Sequence, residues 1–480
     1  MTHQFNSILA AAAGALALGA VANAQTVLAG GTLIDGNGGA AIPFSMVVIE
    51  DGRITCAGAS QDCMDAAPEG ATIVDVSGAF ITPGLVDGHV HYGQTGWLDG
   101  RPDGIEARDV YPYPETVAAL RADPGRWPRA FLCSGVTAVI DTGGQDWTVT
   151  DAPGADSAGP DGVRRIAAGP LITHASARNR VFAWGELEDQ LLFLPMDSDE
   201  AALAGVAHLQ EIGADAVKVW FLDPPEGERE ILEARLMLVG EAADAAGLPL
   251  WVHATELANA KSALRAGAEM LVHSVEDAPV DAEFIDLLLA NDAVYAPTLV
   301  VGENWSRALA AVALGAVPEI EDPNNCVDDA MRERIAHPER FAEAAPQWLD
   351  AAWALSEMES VGRSNAQMDA NLRAVHTAGG RIIVATDAGN PLTLHGPSIY
   401  EEMERMQAAG IPTDALIVMA TRAGAAAMGL ADEIGAIEAG KAADLLVLAE
   451  DPREDIAAFR SLTHVMKAGV LHTQAELQVR

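Results

Sequence analysis

Residues 81–91, Ile-Thr-Pro-Gly-Leu-Val-Asp-Gly-His-Val-His, are the stretch that decides the fold. Its second half has the apolar composition of a buried strand and ends in two histidines, His89 and His91. Because alternate side chains of a strand point to the same side, both imidazoles can face one ion. One such pair is weak evidence alone, so its meaning depends on the other strands.

Short apolar runs follow this stretch and alternate with Ala-, Leu- and Glu-rich segments typical of helices. Continuous apolar strands that alternate with helices indicate a parallel sheet covered on both faces. Eight such units predict an α/β fold with a (β/α)8 TIM barrel, and the alternative is an open, doubly wound sheet. No Gly-x-Gly-x-x-Gly follows the first strand, so nothing supports a dinucleotide site. The predicted strands are 85–91, 136–142, 165–173, 216–222, 250–254, 270–274, 294–299 and 381–387.

Two β-rich segments flank this region. Residues 25–82 contain short strand-like runs and the hairpin signal Asp51-Gly52, and residues 431–480 contain further strand-like runs. The N-terminal segment is too small to build its own core. We therefore predict a small composite β-sandwich formed by both segments, with the barrel between them at 83–430.

The interval between the seventh and eighth predicted strands is much longer than the others. Residues 303–362 have helical composition and include several tryptophans. We predict a helical insertion in the seventh strand–helix loop, where it either covers the site as a lid or packs without a functional role.

The chain has 480 residues and is strongly acidic, with 29 Lys+Arg against 69 Asp+Glu and a net charge of −40. This balance argues against nucleic acid and against anionic lipid as partners, because both would be repelled. We expect a small-molecule substrate, no nucleic-acid partner and no membrane partner, and we leave a homo-oligomer open.

Residues 1–24 have the pattern of a secretory signal peptide. An apolar run at 8–20 is followed by the small-residue motif Ala22-Asn23-Ala24 before Gln25. The run is too short to span a bilayer. We predict export to the periplasm or outside the cell; the alternative is an apolar N-terminal helix.

Four cysteines are present, and none forms a Cys-x-x-Cys pair that would indicate a thiolate zinc site. Cys56 and Cys63 lie close in sequence. They either form a small disulfide loop in an oxidising compartment or remain independent thiols.

The predicted strand ends concentrate residues that bind metals. Lys218 lies in an apolar strand, where burial lowers its pKa and makes the neutral amine available to carbon dioxide. The resulting carbamate can bridge two metals. His253, His273 and Asp387 end strands five, six and eight, on the face where barrel enzymes place their sites.

These motifs resemble those of the amidohydrolase superfamily of metal-dependent hydrolases. Residues 81–91 resemble its first-strand signature, and 434–444 resemble its return to the β-sandwich. Residues 253–255 and 385–390 resemble the imidazolonepropionase-like and prolidase-like branch. Some members of that branch are peptidases that act on dipeptides with a free C-terminal carboxylate.

The resemblance implies two divalent ions, for which zinc suits the histidine and carboxylate ligands. It implies that a hydroxide shared by the ions is the nucleophile, and that Asp387 passes its proton to the leaving amine. The implied metal ligands are His89, His91, Lys218 as a carboxylated lysine, His253, His273 and Asp387.

The third predicted strand departs from the branch, whose members often continue with Gly-Gly-His. Here Thr173 is followed by His174, with Arg178 and Arg180 a few residues further on. A guanidinium is well suited to a carboxylate, so we assign Arg178 as the candidate anchor of a substrate carboxylate. The alternative is a surface ion pair. His174 and His395 are the other candidate substrate contacts.

The sequence thus predicts an exported metal-dependent hydrolase that cleaves an amide C–N bond, with dipeptides or N-acyl amino acids as favoured substrates. One alternative is hydrolysis of cyclic amides, lactones or other esters on the same fold. The other is a non-catalytic binding protein with an inherited barrel.

Overall fold

The computed structural model describes residues 25–99, 109–151, 158–174, 191–341, 345 and 348–479. The predicted signal peptide at 1–24 and the candidate anchor Arg178 lie outside these residues. Within the described part of the chain, no helix is both long and apolar enough to cross a membrane.

Strands and helices are numbered along the described residues. The strands are β1 (Thr26–Ala29), β2 (Thr32–Leu33), β3 (Ser45–Glu50), β4 (Arg53–Ala59), β5 (Thr72–Asp75), β6 (Phe80–Pro83), β7 (Leu85–Val90), β8 (Val136–Asp141), β9 (Arg164–Ala167), β10 (Leu171–Thr173), β11 (Phe193–Pro195), β12 (Val217–Trp220), β13 (Leu250–His253), β14 (Met270–Val272), β15 (Val294–Ala296), β16 (Arg381–Ile382), β17 (Leu445–Leu448), β18 (Leu462–Lys467) and β19 (Val470–Thr473). The α-helices are α1 (Ser60–Cys63), α2 (Tyr113–Ala122), α3 (Arg126–Cys133), α4 (Trp147–Thr150), α5 (Asp199–Ile212), α6 (Arg229–Ala246), α7 (Leu257–Arg265), α8 (Ala282–Ala290), α9 (Val301–Leu314), α10 (Asp329–Ile335), α11 (Ala351–Thr377), α12 (Ser398–Ala408), α13 (Thr413–Val418) and α14 (Gly424–Ala427).

The centre of the fold is parallel β-structure covered by helices, as the continuous apolar strands predict. One sheet has the order β11-β10-β12-β13-β14-β15-β16, and a second has the order β7-β8-β9. All pairings in both are parallel. The segment after β16 returns to β7, since the Gly88 N–H donates to the Val384 carbonyl at 2.9 Å and the His91 N–H donates to Ala388 at 2.8 Å. The protein is therefore a mixed α/β fold with parallel sheets.

Two of the eight predicted strands differ from the observed ones. The third, predicted at 165–173, divides into β9 and β10, which pair in different sheets. The break falls at Gly169, whose φ is 69°, and at Pro170, which has no N–H to donate to a ladder. The eighth, predicted at 381–387, is a strand only in β16, because the chain turns towards β7 and Asp387 has a φ of 64°.

The two ends of the chain meet in one sheet. β17 pairs antiparallel with β6 in the order β19-β18-β17-β6-β2, while a four-stranded sheet has the order β4-β3-β1-β5. β3 and β4 pair antiparallel across Asp51-Gly52, as the hairpin signal predicted. The two sheets share one apolar cluster that includes Leu28, Val47, Ile49, Ile81, Leu445, Val447 and Met466.

The predicted insertion is helical, but its predicted bounds, 303 and 362, fall inside α9 and α11. A disulfide joins Cys133, the last residue of α3, to Cys326. Beside it, Arg126 donates two hydrogen bonds to the Asp328 carboxylate at 2.7 and 3.0 Å. The insertion is therefore joined covalently to α3. Cys56 and Cys63 are also bonded to each other.

Candidate metal centre

The six predicted metal ligands come from five different strands or strand ends, and the structure brings all six to one cavity. The cavity has a volume of about 290 Å³. His89 belongs to β7, Lys218 to β12 and His253 to β13, while the other three follow the ends of β7, β14 and β16. The six ligands that line the cavity are His89, His91, Lys218, His253, His273 and Asp387.

The tightest group is formed by His89, His91 and Asp387. The two imidazole Nε2 atoms lie 3.2 Å apart, and the Oδ1 atom of Asp387 lies 3.2 Å from one and 3.0 Å from the other. This Oδ1 atom and the His89 Nδ1 atom are buried without a hydrogen bond to any described residue. Lone pairs that face one another in a buried space are unfavourable unless a cation lies between them. The arrangement therefore fits a metal ion.

A second group lies on the other side of the Asp387 carboxylate. The rings of His253 and His273 have centroids 4.4 Å apart, and the Nε2 atom of His273 is 3.9 Å from Asp387 Oδ2. His89, His273 and Asp387 each offer a ligand atom, and these atoms all lie within 4.8 Å of one another. The two oxygens of one carboxylate thus face two sets of imidazoles.

Neighbouring polar groups fix which nitrogen of two imidazoles faces the cavity. The Nδ1 atom of His91 lies 2.6 Å from the Gly143 carbonyl oxygen. A carbonyl oxygen can only accept a hydrogen bond, so the proton is on Nδ1. The Nε2 atom of His91 is therefore free of a proton in the neutral ring. The Nδ1 atom of His273 lies 2.6 Å from the hydroxyl of Thr298. Such outer partners orient metal-binding histidines and raise their basicity.

Burial places the ionisable groups in the protonation states that metal ligands require. It lowers the pKa of the His89, His253 and His273 imidazoles well below the usual range, so the rings are neutral. It also lowers the pKa of Lys218 to about 7, against the opposite effect of the Asp387 carboxylate. Burial acts to raise the pKa of Asp387, but the neighbouring His91, His273 and Lys218 side chains outweigh it, and the net pKa is lowered.

Two of the candidate ligands have backbone conformations that L-residues rarely adopt. His273 has a φ of 87° and Asp387 a φ of 64°. Strain of this kind persists where the surroundings over-determine it, often at functional sites. Asp87 supplies part of that support: it accepts hydrogen bonds from the N–H and hydroxyl of Thr386 at 3.0 and 2.7 Å and from the His89 N–H at 3.2 Å.

The walls of the cavity include residues that the sequence analysis did not single out. Gln94, Trp220, Trp305 and Asn390 line it, and the Trp305 indole N–H donates to Asn390 Oδ1 at 3.0 Å. Gln94, Trp220 and Asn390 could have been found from the sequence, since each lies within three residues of a predicted ligand. Trp305 had no such signal beyond its place in the predicted insertion.

Two of the three candidate substrate contacts, His174 and His395, are not among the described residues that line the cavity. His395 is stacked on Trp127 with ring centroids 3.7 Å apart, and its Nε2–H donates to the His91 carbonyl at 2.9 Å. His395 thus contacts the His91 backbone from outside the cavity lining, and its role as a substrate contact stays a prediction. His174 is buried and donates from Nε2 to the Leu222 carbonyl at 3.0 Å, and its role as a substrate contact also stays a prediction. Arg178 lies outside the described residues and stays a prediction.

Comparison with known proteins agrees with this geometry. The sequence profile of the amidohydrolase family matches residues 80–471. The chain belongs to the amidohydrolase family, and it is a hydrolase that acts on carbon–nitrogen bonds. No curated protein sequence matches the chain significantly.

Solved structures with the same fold include several hydrolases. A Xaa-Pro dipeptidase with methionine bound in its active site is 23% identical, with a TM-score of 0.67 over 94% of this chain and 100% of the other. A putative prolidase from Bifidobacterium longum is 22% identical, with a TM-score of 0.65 over 94% of both chains. Molinate hydrolase is 25% identical, with a TM-score of 0.64 over 94% of this chain and 95% of the other.

Proposed function

We propose that the protein is an exported, binuclear metal-dependent amidohydrolase that cleaves amide bonds of dipeptides or N-acyl amino acids. The observation that carries this proposal is the convergence of four imidazoles, a lysine and a carboxylate on one small cavity. The finer architecture belongs to the same proposal. The parallel strands would close as a (β/α)8 barrel over 83–430, and the segments 25–82 and 431–480 would form the β-sandwich.

His89, His91 and Asp387 would hold the more buried ion, and His253 and His273 the second. When bound, divalent ions such as zinc activate water as a nucleophile and polarise a carbonyl. Asp387 receives the proton that the water loses and delivers it to the nitrogen of the leaving amine, because its carboxylate faces both groups of imidazoles. The buried walls keep these charges in a fixed, poorly solvated environment.

Lys218 would bridge the two ions as a carbamate. Its pKa of about 7 makes a neutral amine available near neutral pH, and the amine lines the same cavity as the four histidines. Lys218→Ala is expected to lose activity and to retain fewer than two ions after dialysis. Addition of short carboxylic acids is expected to restore part of both. Full activity and full metal content in this variant would contradict the bridging role.

The substrate class rests on the family and on the branch motifs. Molinate hydrolase and phenylurea hydrolase B share the fold with the dipeptidases, so the fold alone does not choose among amide-type substrates. The test is a hydrolysis screen of dipeptides, N-acyl amino acids, cyclic amides and lactones on metal-loaded protein. Turnover of cyclic amides or esters without turnover of the first two classes would replace the proposed substrate class by the alternative.

Two disulfides support export, because such bonds persist in oxidising compartments. The full chain expressed with its N-terminus intact is expected to reach the periplasm or medium with Gln25 as its first residue. Edman sequencing or intact-mass measurement of the exported protein checks the cleavage site. Accumulation of the uncleaved chain in the cytoplasm would contradict export.

A further inference from the structure

Gln94 carries a polar atom that the mechanism above does not use. Its side chain lines the same cavity as the six candidate ligands, although the residue is only 9% exposed. Its Oε1 atom is buried and accepts no hydrogen bond from any residue in the described ranges. Leaving a buried acceptor unpaired is unfavourable, so this amide is an unusual feature unless a ligand pairs with it.

The backbone holds this amide in place. The Gln94 N–H donates to the His91 carbonyl at 3.3 Å, which ties the residue to the end of β7. Gly389 packs directly against it: a Cβ atom added there would lie 2.9 Å from Gln94 Cβ and 3.1 Å from Oε1. The amide is thus packed between β7 and the chain that follows Asp387. A group fixed in this way is preorganised for binding.

The chemistry of Oε1 limits which substrate groups can pair with it. A side-chain amide oxygen accepts hydrogen bonds, so a substrate that pairs with it through a hydrogen bond carries an N–H or O–H. The cavity, at about 290 Å³, is small for a ligand site, so a molecule that reacts at the candidate metal ligands also reaches Gln94. In an amide substrate the N–H beside the scissile carbonyl is one such donor. Tertiary amides, including those formed by proline, lack this N–H.

We propose that Gln94 is a specificity-determining residue that accepts a hydrogen bond from the N–H of the scissile amide and so selects secondary over tertiary amides. This inference rests on the proposed function and names its substrate class more narrowly. Trp220 and Trp305 line the same cavity, so we expect the favoured substrates to carry an apolar or aromatic group.

The experiment compares kcat/KM for an N-acyl amino acid and for its N-methyl counterpart, on metal-loaded enzyme. The wild type is expected to prefer the N–H substrate by about 10- to 100-fold, because a site built to pair a donor rejects the analogue that lacks it. The methionine in Gln94→Met has a similar length but no comparable hydrogen-bond acceptor. It should reduce this preference to within about threefold, mainly by loss on the N–H substrate, with metal content unchanged. Gln210→Met, the same change at an exposed position on α5, should keep the wild-type preference.

The outcomes separate the two proposals. A wild type that hydrolyses both substrates equally overturns the inference but leaves the proposed function intact, and this arm needs no variant to fold. Equal losses on both substrates in Gln94→Met also overturn it, since they would show a structural role. A wild type that hydrolyses neither class of amide overturns the proposed function and the inference with it.

Discussion

Asp387 is the residue at which the two groups of imidazoles meet. Its Oδ1 atom is within 3.2 Å of two Nε2 atoms, and its Oδ2 atom is 3.9 Å from a third. The same carboxylate is therefore placed to bind an ion and to move a proton. The lowered pKa keeps it ionised near neutral pH, as both roles require.

Asp387→Asn is expected to lower kcat by several orders of magnitude, because one change removes a ligand and the proton acceptor. Steady-state kinetics on metal-loaded protein measure the effect. Asp432→Asn, at an exposed position, should leave kcat unchanged. A loss smaller than about tenfold would assign proton transfer to another group.

Thr298 acts on a candidate ligand from outside the cavity. Its hydroxyl lies 2.6 Å from His273 Nδ1, and its own φ of 48° is strained for a β-branched residue. Thr298→Val is expected to weaken retention of the ion near His273 by about 10- to 100-fold, the usual cost of losing an outer partner. Chelator competition measures this. Thr298→Ser keeps the hydroxyl and should retain the metal like the wild type; equal loss in both variants would contradict the orienting role.

At the scale of elements, Glu402 on α12 fixes the start of the insertion. Its carboxyl group is fully buried and accepts hydrogen bonds from the Leu299 and Val300 N–H groups at 2.9 and 3.0 Å. These residues connect Thr298 to α9, and α9 supplies Trp305 to the cavity wall. One buried side chain therefore positions both the partner of His273 and the insertion helix.

Burial raises the pKa of Glu402 from 4.5 to about 8. Between these values the folded state keeps the proton that the unfolded state has lost, so stability falls as the pH rises through this window. Glu402→Gln cannot ionise and loses one acceptor. It should be less stable than the wild type by about 1–3 kcal/mol at pH 5, and the difference should shrink towards pH 8.

Urea unfolding across this pH range measures the difference in unfolding free energy. Glu359→Gln, at an exposed position on α11, is the control. A difference in unfolding free energy that stays constant with pH would show that Glu402 does not titrate in this window. A variant as stable as the wild type at pH 5 would show that the two backbone hydrogen bonds do not depend on the carboxyl group.

The sequence predicted the strands and helices whose apolar residues recur at the regular spacing of a strand or a helix. The spacing of His89 and His91 placed both rings at one cavity, because side chains two apart on a strand share a face. Gly169 and Pro170 are residues typical of turns, and they mark the split of the third strand. The apolar residues on both sides favoured one continuous strand, so the split was not predicted. The support of His273 by Thr298 was not predictable, since it depends on where a strained loop folds.

At the scale of the whole molecule, contacts between residues far apart in the chain could not be predicted from the sequence either. Cys56 and Cys63 are separated by 7 positions, and their pairing was one of two expected outcomes. Cys133 and Cys326 are separated by 193, and nothing in the sequence predicted their bond. Pairing at that distance follows only from the packing of the insertion against α3.

The two disulfides should differ in what they contribute to stability. In the chain-entropy account, a cross-link stabilises by restricting the unfolded chain, and the effect grows with the length of the closed loop. For separations of 193 and 7 it gives about 5 and about 2 kcal/mol. The double variant of Cys133 and Cys326 to Ala should therefore lower the free energy of unfolding more than the same change at Cys56 and Cys63.

Denaturant unfolding of both double variants, with the oxidised wild type as the reference, checks this order. The longer bond also holds the insertion beside the cavity, so its loss should raise KM while metal content stays unchanged, because the six candidate ligands lie on other segments. Equal destabilisation by the two double variants would mean that the unfolded chain is already compact between α3 and the insertion. Loss of metal from the Cys133 and Cys326 variant would instead make the insertion part of the support for the candidate metal centre.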